Sequence, residues 1–259
     1  MTRCYCARLV LPLSMARIFI TGSADGLGHL AAKQLVKEGH NVVLHARNEQ
    51  RAEEALDKVP GAETVLIADL TNMGETKQLA ADVNAFGSFD AVIHNAGVYR
   101  ASGEEIVAVN TLAPYILTSL INKPKRLIYL SSQNQAYGRA NLVKLASDLS
   151  RISYSDSKLH DLMLALTVAR MWPSVCSNAV DPGWVPTKMG GSGAPDDLTK
   201  GYQTQVWLAT SNDPEALVSG HYFYHKEQFN YNPEANEIAK QDELLKICED
   251  LTGIPFPYH

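Results

Sequence analysis

The chain has 259 residues, 46% hydrophobic and 20% charged, with a formal charge of −5. That length and balance suit one large or two small globular domains and exclude a chain disordered throughout. No apolar run approaches the roughly 18 residues of a membrane span, and the acidic balance argues against a nucleic-acid partner.

Residues 1–14 precede a second methionine, Met15. Pro12 breaks their apolar stretch, which is too short for a secretory core of roughly 7–15 residues. We read residues 1–15 as a flexible extension, with Met15 as an alternative start and a short targeting leader left open. Residues 16–259 are read as one domain. Cys4, Cys6, Cys176 and Cys248 form neither a CxxC pair nor zinc-like spacing, so no disulfide framework and no metal are expected. A reducing cytoplasm is the expected location.

From Arg17 onward, short apolar runs alternate with helical patterns. Strands are expected at Ile18–Thr21, Val42–His45, Thr64–Ala68, Ala91–His94, Arg126–Leu130, Ser177–Val180 and His221–Tyr224. Helices are expected at Leu27–Lys37, Glu49–Lys58, from the third strand to about Phe86, at Ile106–Leu120, and at Ile152–Trp172 before Pro173. Strands that are apolar throughout fit a sheet buried on both faces. Their alternation with helices implies βαβ crossovers. The expected fold is α/β: one doubly wound Rossmann domain, with a mostly parallel seven-stranded sheet and helices on both faces. Residues 134–150 and 186–198 show no clear period, and long loops in such domains often carry function.

Glycines crowd the first strand-to-helix turn, Thr21-Gly22-Ser23-Ala24-Asp25-Gly26-Leu27-Gly28. Glycine permits close backbone approach to a ligand, and the helix N-terminus offers free N–H groups to a pyrophosphate. A tight turn alone would also need glycine. NAD-binding folds place an acid about 20 residues further on, against the ribose 2′-hydroxyl. Here that stretch reads Leu44-His45-Ala46-Arg47-Asn48, so Arg47 supplies a cation where NADP carries its 2′-phosphate. Arg47 as a solvated residue at a helix start is the plainer alternative. Asp69, followed by Leu70 at the end of the third strand, fits either an adenine contact or a helix cap.

Tyr154 and Lys158 are four residues apart and share one helix face. A free phenol has a pKa near 10, and a neighbouring ammonium is expected to lower it. Such a pair can exchange a proton with a carbonyl or alcohol oxygen. Ser132, after the fifth strand, could donate a hydrogen bond to that oxygen, with Ser131 as the fallback.

Taken together, these motifs resemble the short-chain dehydrogenase/reductase family over about residues 16–225. Thr21–Gly28 matches TGxxxGxG, and His94-Asn95-Ala96-Gly97 matches NNAG with histidine first. Asn110 matches the asparagine of the next helix, Ser132, Tyr154 and Lys158 match the catalytic serine and YxxxK, and Asp181–Thr187 looks like the PG loop. The tail loosely resembles the retinol-dehydrogenase-like and carbonyl-reductase-like branch.

The resemblance implies an NADP(H)-dependent oxidoreductase acting on a small carbonyl or alcohol. Tyr154 would be the general acid/base and Lys158 would lower its pKa and hold the nicotinamide ribose. Ser132 would position the substrate oxygen, and Asn110 would support a water in a proton relay. Gly22, Ser23, Asp25, Gly26, Leu27, Gly28, Arg47, Asp69 and Leu70 would bind the cofactor together with Asn95, Ala96 and Gly97. Pro182, Gly183, Val185 and Thr187 would meet the nicotinamide side. A homo-oligomer stays open, as does a dinucleotide sensor without turnover.

The chain departs from the family pattern in three places. His94 replaces an asparagine, Tyr99–Val109 is short, and Ser132 and Tyr154 are separated by an insertion. Gln133, Asn134, Gln135, Trp184, Met189 and Tyr202 are candidate substrate-lining residues. The glycine-rich stretch Met189–Pro195 is a candidate lid.

Overall fold

The computed structural model describes residues 15–258. The expected N-terminal extension, apart from Met15, and Cys4 and Cys6 lie outside the described residues. Cys176 and Cys248 are free thiols.

Strands β1 (Arg17–Ile20), β2 (Asn41–Ala46), β3 (Thr64–Ile67), β4 (Ala91–His94), β5 (Arg126–Leu130), β6 (Cys176–Asp181), β7 (Tyr222–Tyr224) and β8 (Glu227–Gln228) form one sheet. Its order is β3-β2-β1-β4-β5-β6-β7-β8. Strands β1 to β7 are parallel, as expected. The expected count of seven is corrected by β8, a two-residue antiparallel edge strand. His225 and Lys226 turn the chain there with φ of 50° and 69°, a non-glycine hairpin that the sequence does not advertise.

Strands β1 to β7 feed both cores because neighbouring side chains point to opposite faces. Phe19 joins one core while Ile18 and Ile20 join the other. The first core is covered by α3 (Met73–Ala85), α5 (Ala113–Leu120), α6 (Leu142–Ser147), α7 (Tyr154–Met171) and α9 (Ile238–Thr252). The second is covered by α1 (Gly26–Lys37), α2 (Glu49–Lys58) and α8 (Leu198–Thr210).

The expected helix at Ile106–Leu120 is not uniform. It begins as α4 (Gly103–Ile106), widens into a π turn at Val107–Leu112, and continues as α5. Pro114 has no N–H for the carbonyl four residues back, which belongs to Asn110. The Ala113 amide instead donates to the Ala108 carbonyl, five residues back.

The insertion between β5 and α7 is structured. Gln133–Tyr137 and Leu149–Arg151 are 3₁₀ turns flanking α6. Asn232 Nδ2 donates to the carbonyls of Gln135 and Gly138, which ties the insertion to the C-terminal segment. Arg139 N donates to Asp156 Oδ1, in the first turn of α7. Asp156 Oδ2 also accepts from Ser153 N, completing a capping box with the Ser153 side chain. The insertion therefore braces the end of the helix that carries Tyr154.

Gly138 lies so close to that helix that a Cβ would stand 2.3 Å from the Ser155 carbonyl oxygen. Backbone on both sides prevents easy relief. Gly138→Ala is expected to cost about 1–3 kcal/mol in urea unfolding.

Candidate active site

The strand order reverses between β1, which pairs with β2, and β4, which follows on its other side. Open α/β sheets bind ligands at such a reversal, outside the carboxyl ends of the strands. A groove of about 590 Å³ occupies that place.

A small polar lattice fixes its floor. Thr21 Oγ1 accepts from the amides of Asn95 and Ala96, both at 3.0 Å. Asn95 Nδ2 donates back to the carbonyls of Thr21 and Gly22. Gly22 has φ +64° and lies against Ala96, where a Cβ would come within 2.9 Å of the Ala96 Cα. This position needs glycine for both conformation and space. Gly28 sits where a Cβ would approach Asn95 Nδ2 to 2.3 Å and the Gly22 carbonyl to 2.7 Å. Its role is close packing of α1 on the turn.

His45 closes the far side of this lattice. Gly22 N donates to His45 Nδ1, so the ring proton is on Nε2, which meets the Ala68 carbonyl at 3.0 Å. Burial drives the His45 pKa down to about 4, so the imidazole stays neutral. Ser23 departs from its expected part. Its hydroxyl donates to the Ile20 carbonyl and accepts from His45 N, and it does not line the groove.

Gly22, Asp25, Gly26, Leu27, Arg47, Asp69, Leu70, Asn95, Ala96, Gly97, Tyr154, Lys158, Pro182 and Thr187 do line it. Of the other expected cofactor residues, Gly28 and Val185 pack behind the wall, the latter against Gly201. Gly183 turns the chain with φ +80°, and its amide donates to Asp181 Oδ1.

Arg51 and Lys188 also line the groove, and neither stands out in the sequence. Both reach Asp25 Oδ2, at 3.1 and 2.7 Å. The Lys188 ammonium, with Arg51 and the Gly26 amide, holds the Asp25 carboxyl far below its ordinary range. Arg51 also pairs with Glu54. Its place in the first turn of α2, just after Arg47, is the available signal.

At the other end, Tyr154 opens α7. Ser132 faces its hydroxyl, and the Tyr99 ring meets its ring edge-on with centroids 4.8 Å apart. Ser131 points elsewhere, since its hydroxyl donates to the Lys158 carbonyl. The geometry therefore favours Ser132 over Ser131 beside Tyr154, although Ser131 rather than Ser132 touches the groove. Asn110 is buried behind Tyr154. Its Oδ1 accepts from Val98 N, and its Nδ2 donates to the Val98 carbonyl and Ser157 Oγ. The side chain is thus committed to scaffold bonds.

The electrostatics differ from the expectation in one respect. Lys158 Nζ lies 5.6 Å from the Tyr154 ring centre and does favour phenolate. Burial of Tyr154 outweighs it, with Asp161 and Asp181 acting in the same direction, and the phenol pKa is raised. Lys158 itself donates to the Leu130 carbonyl at 2.7 Å and to Asp161 Oδ2 at 2.8 Å.

The candidate substrate residues divide. Gln135 and Tyr202 serve the scaffold, Gln135 by accepting from Asn232 N and Tyr202 by packing on the second core. Gln133 and Asn134 are exposed. Trp184 is exposed but pinned, its Nε1 donating to the Gly190 carbonyl, and Met189 lines the groove. His94 is buried, stacked on Tyr129 and beside Thr118 Oγ1, and burial lowers its pKa to about 3. It belongs to the core. Among the described residues, no cluster of His, Cys, Asp and Glu could hold a metal ion. No described helix is long and apolar enough to cross a membrane.

Residues 16–197 match the family model for short chain dehydrogenases. The chain belongs to the short-chain dehydrogenase family. A relative described as a short-chain dehydrogenase of Penicillium rubens is 44% identical, covering 94% of this chain and all of its own length. Solved structures agree in fold. A protein of Mycobacterium paratuberculosis, 23% identical, superposes with a TM-score of 0.79 over 96% of this chain and 97% of its own. A short chain dehydrogenase of Shigella flexneri complexed with NADP, 22% identical, gives 0.65 over 83% of this chain and 99% of its own. This short-chain dehydrogenase is accordingly an oxidoreductase.

In this dehydrogenase the Gly28 contact is with backbone as well as with the Asn95 amide. Gly28→Ala is expected to lower unfolding free energy by about 1–3 kcal/mol, read from thermal or urea melting.

Proposed function

We propose that the protein is an NADP(H)-dependent oxidoreductase of carbonyl/alcohol pairs, with Tyr154 as its general acid/base. The observation that carries this reading is one groove joining a glycine cradle and two arginines at one end to Tyr154 and Lys158 at the other.

The residues present fit a dinucleotide. Gly22 and Gly26 line the cradle with φ of 64° and 56°, a conformation that glycine adopts without strain, and the first turn of α1 presents backbone amides to a pyrophosphate. Strand β2 ends in Ala46 with no carboxylate, and Arg47 and Arg51 follow on the groove wall. Two guanidiniums suit a 2′-phosphate through charge-assisted bonds. Asp69 is occupied by Thr71, whose amide and hydroxyl both donate to Asp69 Oδ1. It therefore acts as a turn cap on the adenosine side of the groove wall. Asn95, Ala96 and Gly97 would face the adenosine and central part, with Pro182 and Thr187 on the nicotinamide side.

Once bound, the nicotinamide supplies or accepts the hydride. Tyr154 Oη gives its proton to the carbonyl oxygen in reduction and takes one from the alcohol in oxidation. The Ser132 hydroxyl donates to the same oxygen and holds it beside Tyr154. Lys158 has spent two donors inward, and its remaining N–H serves the groove, where it would hold the nicotinamide ribose. Asn110 contributes through its main chain: its side chain is committed, and Pro114 relieves its carbonyl of the usual helical donor. That carbonyl is the acceptor we assign to a relay water.

Tyr154→Phe is expected to abolish NADPH-dependent reduction of a panel of aldehydes, ketones and quinones while NADPH still binds by fluorescence titration. Retained turnover would contradict the assignment. Binding without turnover in the unaltered protein across the panel would favour a dinucleotide sensor. Arg47→Ala combined with Arg51→Ala should weaken NADPH by about tenfold or more and NADH far less, since a hydrogen bond to a charged group contributes about 1.5–3 kcal/mol. Equal losses for both cofactors would remove the 2′-phosphate contact.

A further inference from the structure

Lys158 and Asp161 form a buried ion pair on one face of α7, at 2.8 Å with side chains 5% and 3% exposed. Few features of the core cost more to build. Each charge must leave water, and the pair is tolerated only with good geometry and further hydrogen bonds. Lys158 has such a bond in the Leu130 carbonyl. An uncharged partner could have accepted the same bond but would leave the buried ammonium's charge uncompensated, so the carboxylate has a reason in charge as well as in packing.

A further reason lies one turn away. A lone ammonium 5.6 Å from the Tyr154 ring would pull the phenol toward phenolate. With a carboxylate 2.8 Å behind it, the two charges form a dipole, whose potential falls off faster than that of a single charge. The groups that face this assembly are few. Asp161 meets Lys158 and Tyr154 along α7, and Tyr129 from β5 feels its charge. Tyr154 is also faced by Asp181 from β6, Tyr222 from β7 and Tyr99 from the loop after β4.

We propose that Asp161 is a positioning residue that anchors the Lys158 ammonium and offsets its charge, keeping Tyr154 a phenol and biasing the site toward carbonyl reduction. In that direction the carbonyl carbon gains a hydride and its oxygen gains the Tyr154 proton, so the reactive form of the enzyme is the protonated one. Oxidation of an alcohol requires phenolate. The raised pKa of Tyr154, in which burial leads and Asp161 contributes, agrees with this bias. The proposal rests on the reading of Tyr154 and Lys158 as the proton-transfer pair.

The test is the titration of the Tyr154 phenol in the full-length protein. Near-ultraviolet phenolate absorbance is recorded for each form against its own Tyr154→Phe counterpart, which isolates this tyrosine. Asp161→Asn retains an oxygen acceptor for Lys158 Nζ but removes the charge. Its Tyr154 midpoint is expected to fall by about one pH unit or more, a roughly tenfold gain in phenolate at fixed alkaline pH. An unmoved or higher midpoint overturns the proposal.

A second variant guards against misfolding of an unpaired ammonium. Lys158→Met with Asp161→Leu removes both charges, and its midpoint should stay at or above that of the unaltered protein. A lower midpoint there also overturns the proposal. Asp161→Glu, which restores the charge, should bring the midpoint back toward the original. In parallel, phenanthrenequinone reduction with NADPH is followed against pH, and the alkaline limb of kcat/KM should move to lower pH in Asp161→Asn. The phenol titration needs no substrate, so a moved midpoint without quinone turnover upholds the role of Asp161 and tells against carbonyl reduction. Turnover with an unmoved midpoint does the reverse.

Discussion

A buried ammonium must find acceptors, and Lys158 finds them in two elements at once. Its bond to the Leu130 carbonyl reaches the last residue of β5, and its bond to Asp161 lies along α7. The Leu130 bond, together with Ser131 Oγ, which donates to the Lys158 carbonyl, clamps α7 to the strand end. The rotation of α7 about its axis is thereby set. Tyr154, one turn earlier on the same face, is brought to the groove. Removing one partner of such a pair costs about 3–5 kcal/mol in typical proteins, because the other charge is left buried and uncompensated, so the two side chains are held to each other.

The other end of the groove depends on a different constraint. The β1-to-α1 turn approaches the β4 turn so closely that side chains must be absent or locked. Gly22 meets Ala96, Gly28 meets Asn95, and Thr21 and Asn95 satisfy each other's backbone. His45 and Ser23 extend this lattice to β2. Such polar groups are costly when buried unpaired, and here each has its partner. The result is a rigid floor, spanned above by the Asp25 bridges to Arg51 and Lys188.

Much of this was legible in the sequence. Parallel strands buried on both faces read as continuous apolar runs, and β4 and β5 begin and end where those runs do. The glycine turn and the Tyr154–Lys158 spacing are local patterns, so they too survive in one dimension. What did not survive are pairings set by the tertiary fold. Ser23 looks like part of a phosphate loop, but β2 passes close enough to capture its hydroxyl. Asn110 reads as support for a relay water, but that its side chain is taken by Val98 and Ser157 is set by the tertiary fold. Helix α8 was missed because its first buried residues are Gly201, Thr204 and Gln205, and its apolar ones, Val206, Leu208 and Ala209, come only at its end. Helix α9 begins with Ile238 exposed and Gln241 buried, the reverse of an amphipathic start. Asp161 carried a faint signal, a single acid in the apolar stretch that follows Lys158, and its meaning depended on knowing that this face is buried.

The central proposal is that in this groove a hydride leaves a nicotinamide while a carbonyl oxygen receives a proton from Tyr154. Its most direct test is isotope transfer. NADPH deuterated at the transferring nicotinamide carbon is incubated with the protein and a mixture of aldehydes, ketones and quinones, and the products are analysed by mass spectrometry. The expected product is an alcohol carrying deuterium on the former carbonyl carbon, or for a quinone a hydroquinone formed as deuterated NADPH is consumed. Tight binding of deuterated NADPH, with the label retained in the nucleotide and no reduced product from any carbonyl class, would contradict it.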